Sequence, residues 1–215
     1  PPWPLLPVPG HPEAEPGQSS GIVKLHDSDK VIGARTTTGD IKAKNTILAV
    51  GPKTSMLAPK VARSILVRPV KGYSLTYDTS KANDLPSYPV IDESYHVGVV
   101  PINGRLRAVG FAEFANYDDN LNPKIVSKLD RFTKSIYPNL ADIINGCKKI
   151  PWTGFRAISA DGLPYIGETS RKGLWLNTGH GHLGWTLAAG SAELLADLIT
   201  GKKTSVESSK FAVHR

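Results

Sequence analysis

Leu174-Trp175-Leu176-Asn177-Thr178-Gly179-His180-Gly181-His182-Leu183-Gly184-Trp185-Thr186 holds an apolar run, a G-x-G-x-x-G turn and the start of a helical pattern that continues to about Thr200. A strand that passes through such a turn into a helix gathers backbone N–H groups and the positive end of a helix dipole at one spot. That suits a phosphate or another electron-rich ligand. Taken alone, the pattern is equally a plain strand-to-helix turn. Its position is unusual, because only 31 residues follow Gly184. A dinucleotide fold needs a further strand, an acidic ribose ligand about 20 residues on, and more crossovers. The turn is therefore either accidental or the last ligand-touching turn of a fold whose first turns lie elsewhere.

Working outward, Trp152-Thr153-Gly154-Phe155-Arg156 reads as a strand and Ser159-Ala160-Asp161-Gly162-Leu163-Pro164 as a turn. Downstream, Trp185, Ala188, Ala192, Leu195 and Ile199 are spaced to line one helix face, with Gly201 as C-cap. Toward the other end, 21–25, 31–38 and 41–50 read as a β-meander. Its last run, Thr46-Ile47-Leu48-Ala49-Val50-Gly51, is expected to be a continuous strand buried on both faces that ends in a small-residue turn. Between these lies a β-rich stretch. It holds a long strand over 65–77 broken at Pro69, then strands over 95–101 and 105–111 flanking the hairpin signal Asn103-Gly104. A helix follows, with Asn122 as N-cap and Pro123 at its first position. Ile125, Leu129, Phe132 and Ile136 make its buried face, and Pro138 stops it.

The fold class is α/β (mixed α+β). Residues 21–64 and 151–204 are expected to form parts of one ligand-binding domain, and 65–150 an inserted antiparallel sheet plus helix. Residues 1–20, with seven prolines and no Lys or Arg, read as an irregular extension rather than a leader peptide, and 205–215 as a tail.

Composition excludes several classes. A chain of 215 residues that is 40% hydrophobic and 21% charged is ordinary globular material. No apolar run reaches the roughly 18 residues of a membrane span. The single Cys147 excludes an internal disulfide framework and suits a reducing compartment. The net charge of +7 is concentrated in 42–81, where eight basic residues (Lys42, Lys44, Lys53, Lys60, Arg63, Arg68, Lys71, Lys81) face one acid, Asp78. Only Tyr73 and Tyr77 interleave with them, and no nucleic-acid module is present, so nucleic acid is not the expected partner. Weak attraction to an anionic membrane surface is the remaining electrostatic expectation.

Trp152–Arg156 as quoted, Asp161-Gly162-Leu163-Pro164-Tyr165-Ile166-Gly167, the glycine turn through Thr186 and Leu194-Leu195-Ala196-Asp197-Leu198-Ile199 form an ordered series. The series resembles the C-terminal part of FAD-dependent amino-acid oxidoreductases of the D-amino-acid oxidase superfamily. The D-amino-acid dehydrogenase branch is the nearest likeness, with glycine and sarcosine oxidases more distant. Val67-Arg68-Pro69-Val70-Lys71-Gly72-Tyr73 and Ile47-Leu48-Ala49-Val50-Gly51 fall where that superfamily has similar strings. The resemblance spans about 21–215. It does not include an N-terminal pyrophosphate-binding strand–glycine–helix unit, so the chain is expected to be a C-terminal portion, and Ala157 stands where the superfamily usually has Pro.

The resemblance implies that 21–64 and 151–204 are part of a Rossmann-like FAD-binding domain, that 65–150 is the substrate domain, and that FAD is the cofactor. Ala49, Val50 and Gly51 would lie along its ADP side, and Gly179, His180, Gly181, His182, Leu183, Gly184, Trp185 and Thr186 would lie at the flavin ring. The helix after the turn would face the ring edge where negative charge develops on reduction. Arg156 would hold the substrate carboxylate in a bidentate grip, with Tyr73 lining the pocket and His182 facing substrate or handling protons. His180 and His182 lack companions at ligand spacing, so no metal is expected. The implied reaction is oxidation of a D-amino acid by hydride transfer to flavin N5, followed by hydrolysis to a 2-oxo acid and ammonia. Electrons would pass to the respiratory chain or to oxygen, in the cytoplasm or peripherally on the inner face of the bacterial cytoplasmic membrane. Three other readings stand beside it: a truncated copy that binds no flavin without a partner supplying the first half, a glycine- or sarcosine-oxidase-like enzyme, and, on the basic stretch alone, a non-catalytic anion-binding module.

Overall fold

The computed structural model describes residues 22–26, 30–36, 39–57, 65–80, 82 and 85–215. The Pro-rich stretch 1–20, Lys60, Arg63 and Lys81 lie outside them. Among the described residues, twelve strands form three sheets. The first is the expected meander, β1 (Ile22–His26), β2 (Lys30–Thr36) and β3 (Gly39–Lys42), antiparallel in that order. The second places β11 (Leu174–Thr178) between β10 (Tyr165–Glu168), antiparallel to it, and β4 (Thr46–Leu48), parallel to it. The third is fully antiparallel, in the order β12 (His180–Gly181), β9 (Lys149–Ser159), β5 (Val67–Tyr77), β8 (Arg105–Glu113), β7 (Val97–Ile102) and β6 (Val90–Asp92).

Local chemistry explains the largest pieces. Asn103 and Gly104 take positive φ angles of 49° and 69°, as a two-residue type I′ hairpin requires, and join β7 to β8. The Asn122 side chain accepts the Lys124 N–H at 3.1 Å, capping the helix Pro123–Ile136. Leu129 of that helix is fully buried against Tyr73, Leu75, Tyr77, Val97, Val99, Leu106 and Ala108, with Ile125, Phe132 and Ile136 packed at the margin. Burial of each such aliphatic side chain contributes roughly 1.5–3 kcal/mol. One face of the six-stranded sheet is thereby covered.

Several expectations change. The run 41–50 is not one strand. β3 and β4 belong to different sheets, Ile47 is 48% exposed and Val50 38%. β4 has a single strand neighbour, β11, so its other edge is unpaired among the described residues. Pro69 does not break β5. Pairing with β9 runs from Val67 to Tyr77, whereas pairing with β8 starts only at Lys71, so Pro69 lies where the strand has one neighbour and its missing N–H costs little. The division at 150/151 falls inside β9, which pairs with β5 along its whole length, so 151–159 belongs to the antiparallel sheet.

The last helix is Ala188–Thr200, starting later than the sequence pattern, which places its first turn at about Gly184, and Gly201 caps it at φ 70°. Its buried face is Ser191, Leu194 and Leu195, packed with Leu198 and Ile199 against Ile166 and Trp175. Trp185 is outside it, 95% exposed. The stretch 205–215 is docked: Val213 is buried in the core of the parallel pair, and Arg215 lies 3.9 Å from the centre of the Tyr165 ring while holding Asp161 at 2.7 Å. Among the described residues no helix is long and apolar enough to cross a membrane.

Candidate active site

Parallel pairing sends the carboxyl ends of β4 and β11 the same way, the end of a parallel pair where open α/β sheets bind ligands. β4 leads to Gly51 at φ 54°, and β11 to Gly179 at φ 86° and Gly181 at φ 61°, backbone that favours glycine. The hydroxyls of Thr54 and Thr178 donate to the Gly51 carbonyl at 2.7 and 3.1 Å, fastening the two ends together. A Cβ on Gly179 would meet Ser159 and Val67 at 3.4 Å. Past it, β12 pairs His180 with Ile158 and Gly181 with Ala157, which lays the glycine turn along the strand that carries Arg156.

Arg156 lies opposite Val70 on β5, on the sheet face away from the Pro123 helix. Its guanidinium folds over Gly72, where a Cβ would stand 2.5–2.7 Å from the guanidinium atoms, so any side chain there would displace it from this position. Nη1 donates to the Phe111 carbonyl at 3.0 Å. That carbonyl is offered by a bulge in β8, with Phe111 at φ 61°. Arg156 is half-buried, burial lowers its pKa, and no carboxylate among the described residues pairs with it.

Tyr73 lies on the opposite face. It is 2% exposed and its hydroxyl donates to Glu113. Glu113 also accepts from Asn122 at 3.0 Å and pairs with Lys71 Nζ at 3.0 Å. Hydrogen bonds from Tyr73, Asn122 and Lys71 hold the Glu113 carboxyl at about 2. Burial works against the Lys71 ammonium, but its bonds to Glu113 and Tyr73 outweigh it and the pKa is raised. The structure therefore does not bring Tyr73 and Arg156 together, and Lys71 is a buried ion-paired group rather than part of a solvated basic stretch. Sequence alone did not show Glu113 as their partner, because the contact crosses 40 residues.

His180 is half-buried, and burial lowers its pKa, which leaves the imidazole neutral near pH 7; a ring nitrogen lies 3.0 Å from Ser191 Oγ. His182, Leu183, Trp185 and Thr186 face outward, as do Ala49 and Val50, while Gly51 and Gly184 are half-buried. No cluster of metal-ligating side chains forms among the described residues.

Comparison with known proteins gives this arrangement its class. Residues 18–198 match the family of FAD dependent oxidoreductases (DAO), and the chain belongs to that family. It is 37% identical over 195 residues to a D-amino acid dehydrogenase of Vibrio atlanticus, covering 90% of this chain and 46% of that protein. A D-amino acid dehydrogenase of Bradyrhizobium diazoefficiens is 38% identical over 198 residues, covering 92% and 46%. Among solved structures, glycine oxidase from Geobacillus kaustophilus superposes with a TM-score of 0.76 at 28% identity, covering 88% of this chain and 50% of that one. The chain spans about half the length of the curated relatives it matches.

The residues present fit part of the family's cofactor. Gly51, Gly179 and Gly181 at the joined ends of β4 and β11, with the small Ala157 near Gly51, leave backbone open to close approach by a flat ring. The positive end of the helix Ala188–Thr200 starts one loop beyond.

Proposed function

We propose that this chain is the C-terminal, substrate-binding portion of an FAD-dependent D-amino-acid dehydrogenase, which converts a D-amino acid to the 2-oxo acid and ammonia. The observation that carries this is Arg156: a half-buried guanidinium without a carboxylate partner, seated on Gly72, on the strand that pairs with the glycine turn. A buried cation of this kind is satisfied by a carboxylate brought in by the substrate, gripped by its planar fork. Gly51, Gly179, Gly181 and His180 hold the flavin end of FAD in this proposal, with Ala49 and Val50 toward its ADP end and Leu183, Gly184, Trp185 and Thr186 closing the turn. Bound FAD supplies the two-electron acceptor for the substrate Cα–H bond. The chain's part is placement: Arg156 fixes the carboxylate, so the amino group and Cα–H have one orientation. His182, exposed beside Gly181, exchanges protons with the departing amine in this proposal. Tyr73 acts at one remove, as a brace under the Arg156 strand. Electrons go on to the respiratory chain or to oxygen, and exposed Lys42, Lys44 and Arg68 favour the cytoplasmic face of an anionic membrane.

The test is 2-oxo acid production by the chain with FAD, alone and mixed with the first half of a D-amino acid dehydrogenase relative. Product from D-alanine and none from L-alanine is the expected result in the mixture, and no dependence of the rate on Arg156 would overturn the proposal. A glycine-oxidase-like activity is the second reading, favoured by the structural likeness to that enzyme. Glycine turned over faster than D-alanine decides for it. A chain that binds no flavin in either assay is the inactive copy.

A further inference from the structure

The open face of the six-stranded sheet carries a second guanidinium. Pairing puts Ile91, Gly98, Val109, Ser74 and Trp152 in one cross-strand row on that face, with Arg107 opposite Thr76 a step beyond. Ile91, Val109 and Trp152 are 73%, 36% and 55% exposed, whereas Ser74 in the middle of the row is buried beneath its neighbours. Arg107 Nη2 donates to Ser74 Oγ at 3.1 Å, and its Cζ stands 5.9 Å from the centre of the Trp152 ring. Its Nε is buried without a hydrogen-bond partner, and no carboxylate among the described residues pairs with it.

Arg156 rests on Gly72 and Arg107 bonds Ser74, two residues further along the same strand and on the same face, about 7 Å away at the usual rise of a strand. The Trp152 ring lies across Gly154, which pairs with Gly72 beneath the Arg156 guanidinium. Two cations and an indole thus share this face. A buried guanidinium N–H without an acceptor carries a desolvation cost that an incoming anion removes.

We propose that Arg107, walled by Trp152, is a side-chain subsite that selects amino acids bearing a second carboxylate, such as the D-forms of glutamate and aspartate. This rests on Arg156 as the clamp for the α-carboxylate: the two cations then read the two ends of one short dicarboxylate.

Calorimetric titration of the purified chain with glutarate and with butyrate tests it without flavin. Glutarate is expected to bind at least tenfold more tightly. Arg107→Gln should reduce glutarate to the butyrate level and leave butyrate unchanged, with circular dichroism confirming the fold. Arg156→Gln should weaken both acids. Equal affinity of the native chain for the two acids overturns the subsite, as does an Arg107→Gln chain that keeps the glutarate preference. If Arg156→Gln leaves butyrate binding intact while Arg107→Gln still abolishes the preference, the α-carboxylate clamp falls and the Arg107 site stands. Absence of any binding to the native chain overturns both.

Discussion

Gly72 and Arg156 act as one unit. The guanidinium lies where a Gly72 side chain would be, so Gly72→Ala should push it off the sheet. In flavin-loaded enzyme the expected result is a drop in kcat/KM close to that of Arg156→Ala. That drop is about 10- to 100-fold, the scale of a charged hydrogen-bonded pair worth about 1.5–3 kcal/mol. Steady-state kinetics on both variants and the double variant check this, and fully additive losses would show that the two residues act separately. Gly181 is the second residue-scale case. Its φ of 61° strains any L side chain, most of all a β-branched one, and a Cβ there would stand 3.3 Å from Ile158, so Gly181→Val should lower bound FAD, measured by absorbance at constant protein concentration. The glycines were legible in the sequence, since their spacing marks a turn. The atoms that would strike an added Cβ were not, because they come from other strands.

At the scale of elements, β5 and β8 are held at their open end by Glu113, which collects Tyr73, Asn122 and Lys71. Its folded pKa, about 2, lies below the ordinary 4.5, so the carboxylate is favoured by folding. Stability from this group is whole above about pH 4.5 and is lost as the pH falls toward 2. Glu113→Gln should remove that part of the acid-unfolding slope, as followed by circular dichroism between those two pH values. An unchanged slope would remove Glu113 as its source. The hairpin at Asn103-Gly104 and the Asn122 cap were readable because each is decided by neighbours in sequence. The continuity of β5 through Pro69 was not, since it depends on which side of the strand lacks a partner.

For the whole molecule, the C-terminal stretch is structural. Arg215 spans Asp161, the Leu163 and Pro164 carbonyls and the Tyr165 ring, and Val213 enters the core of the parallel pair. Removal of residues 212–215 should lower Tm by several degrees, given about 2–4 °C per kcal/mol for a chain of this size, and calorimetry measures it. A Tm unchanged by the deletion would make the segment a mere tail. The sequence by itself determined the family, the glycine turn, the capped helix and the hairpin, because each is written in short-range spacing and in turn residues with special backbone needs. Only the tertiary structure decided that Tyr73 and Arg156 stand on opposite faces of one sheet, and that Arg107 shares the open face with Arg156. Side chains alternate along every strand, but strand order and register, which set what each residue faces, are fixed by contacts between segments far apart in the chain.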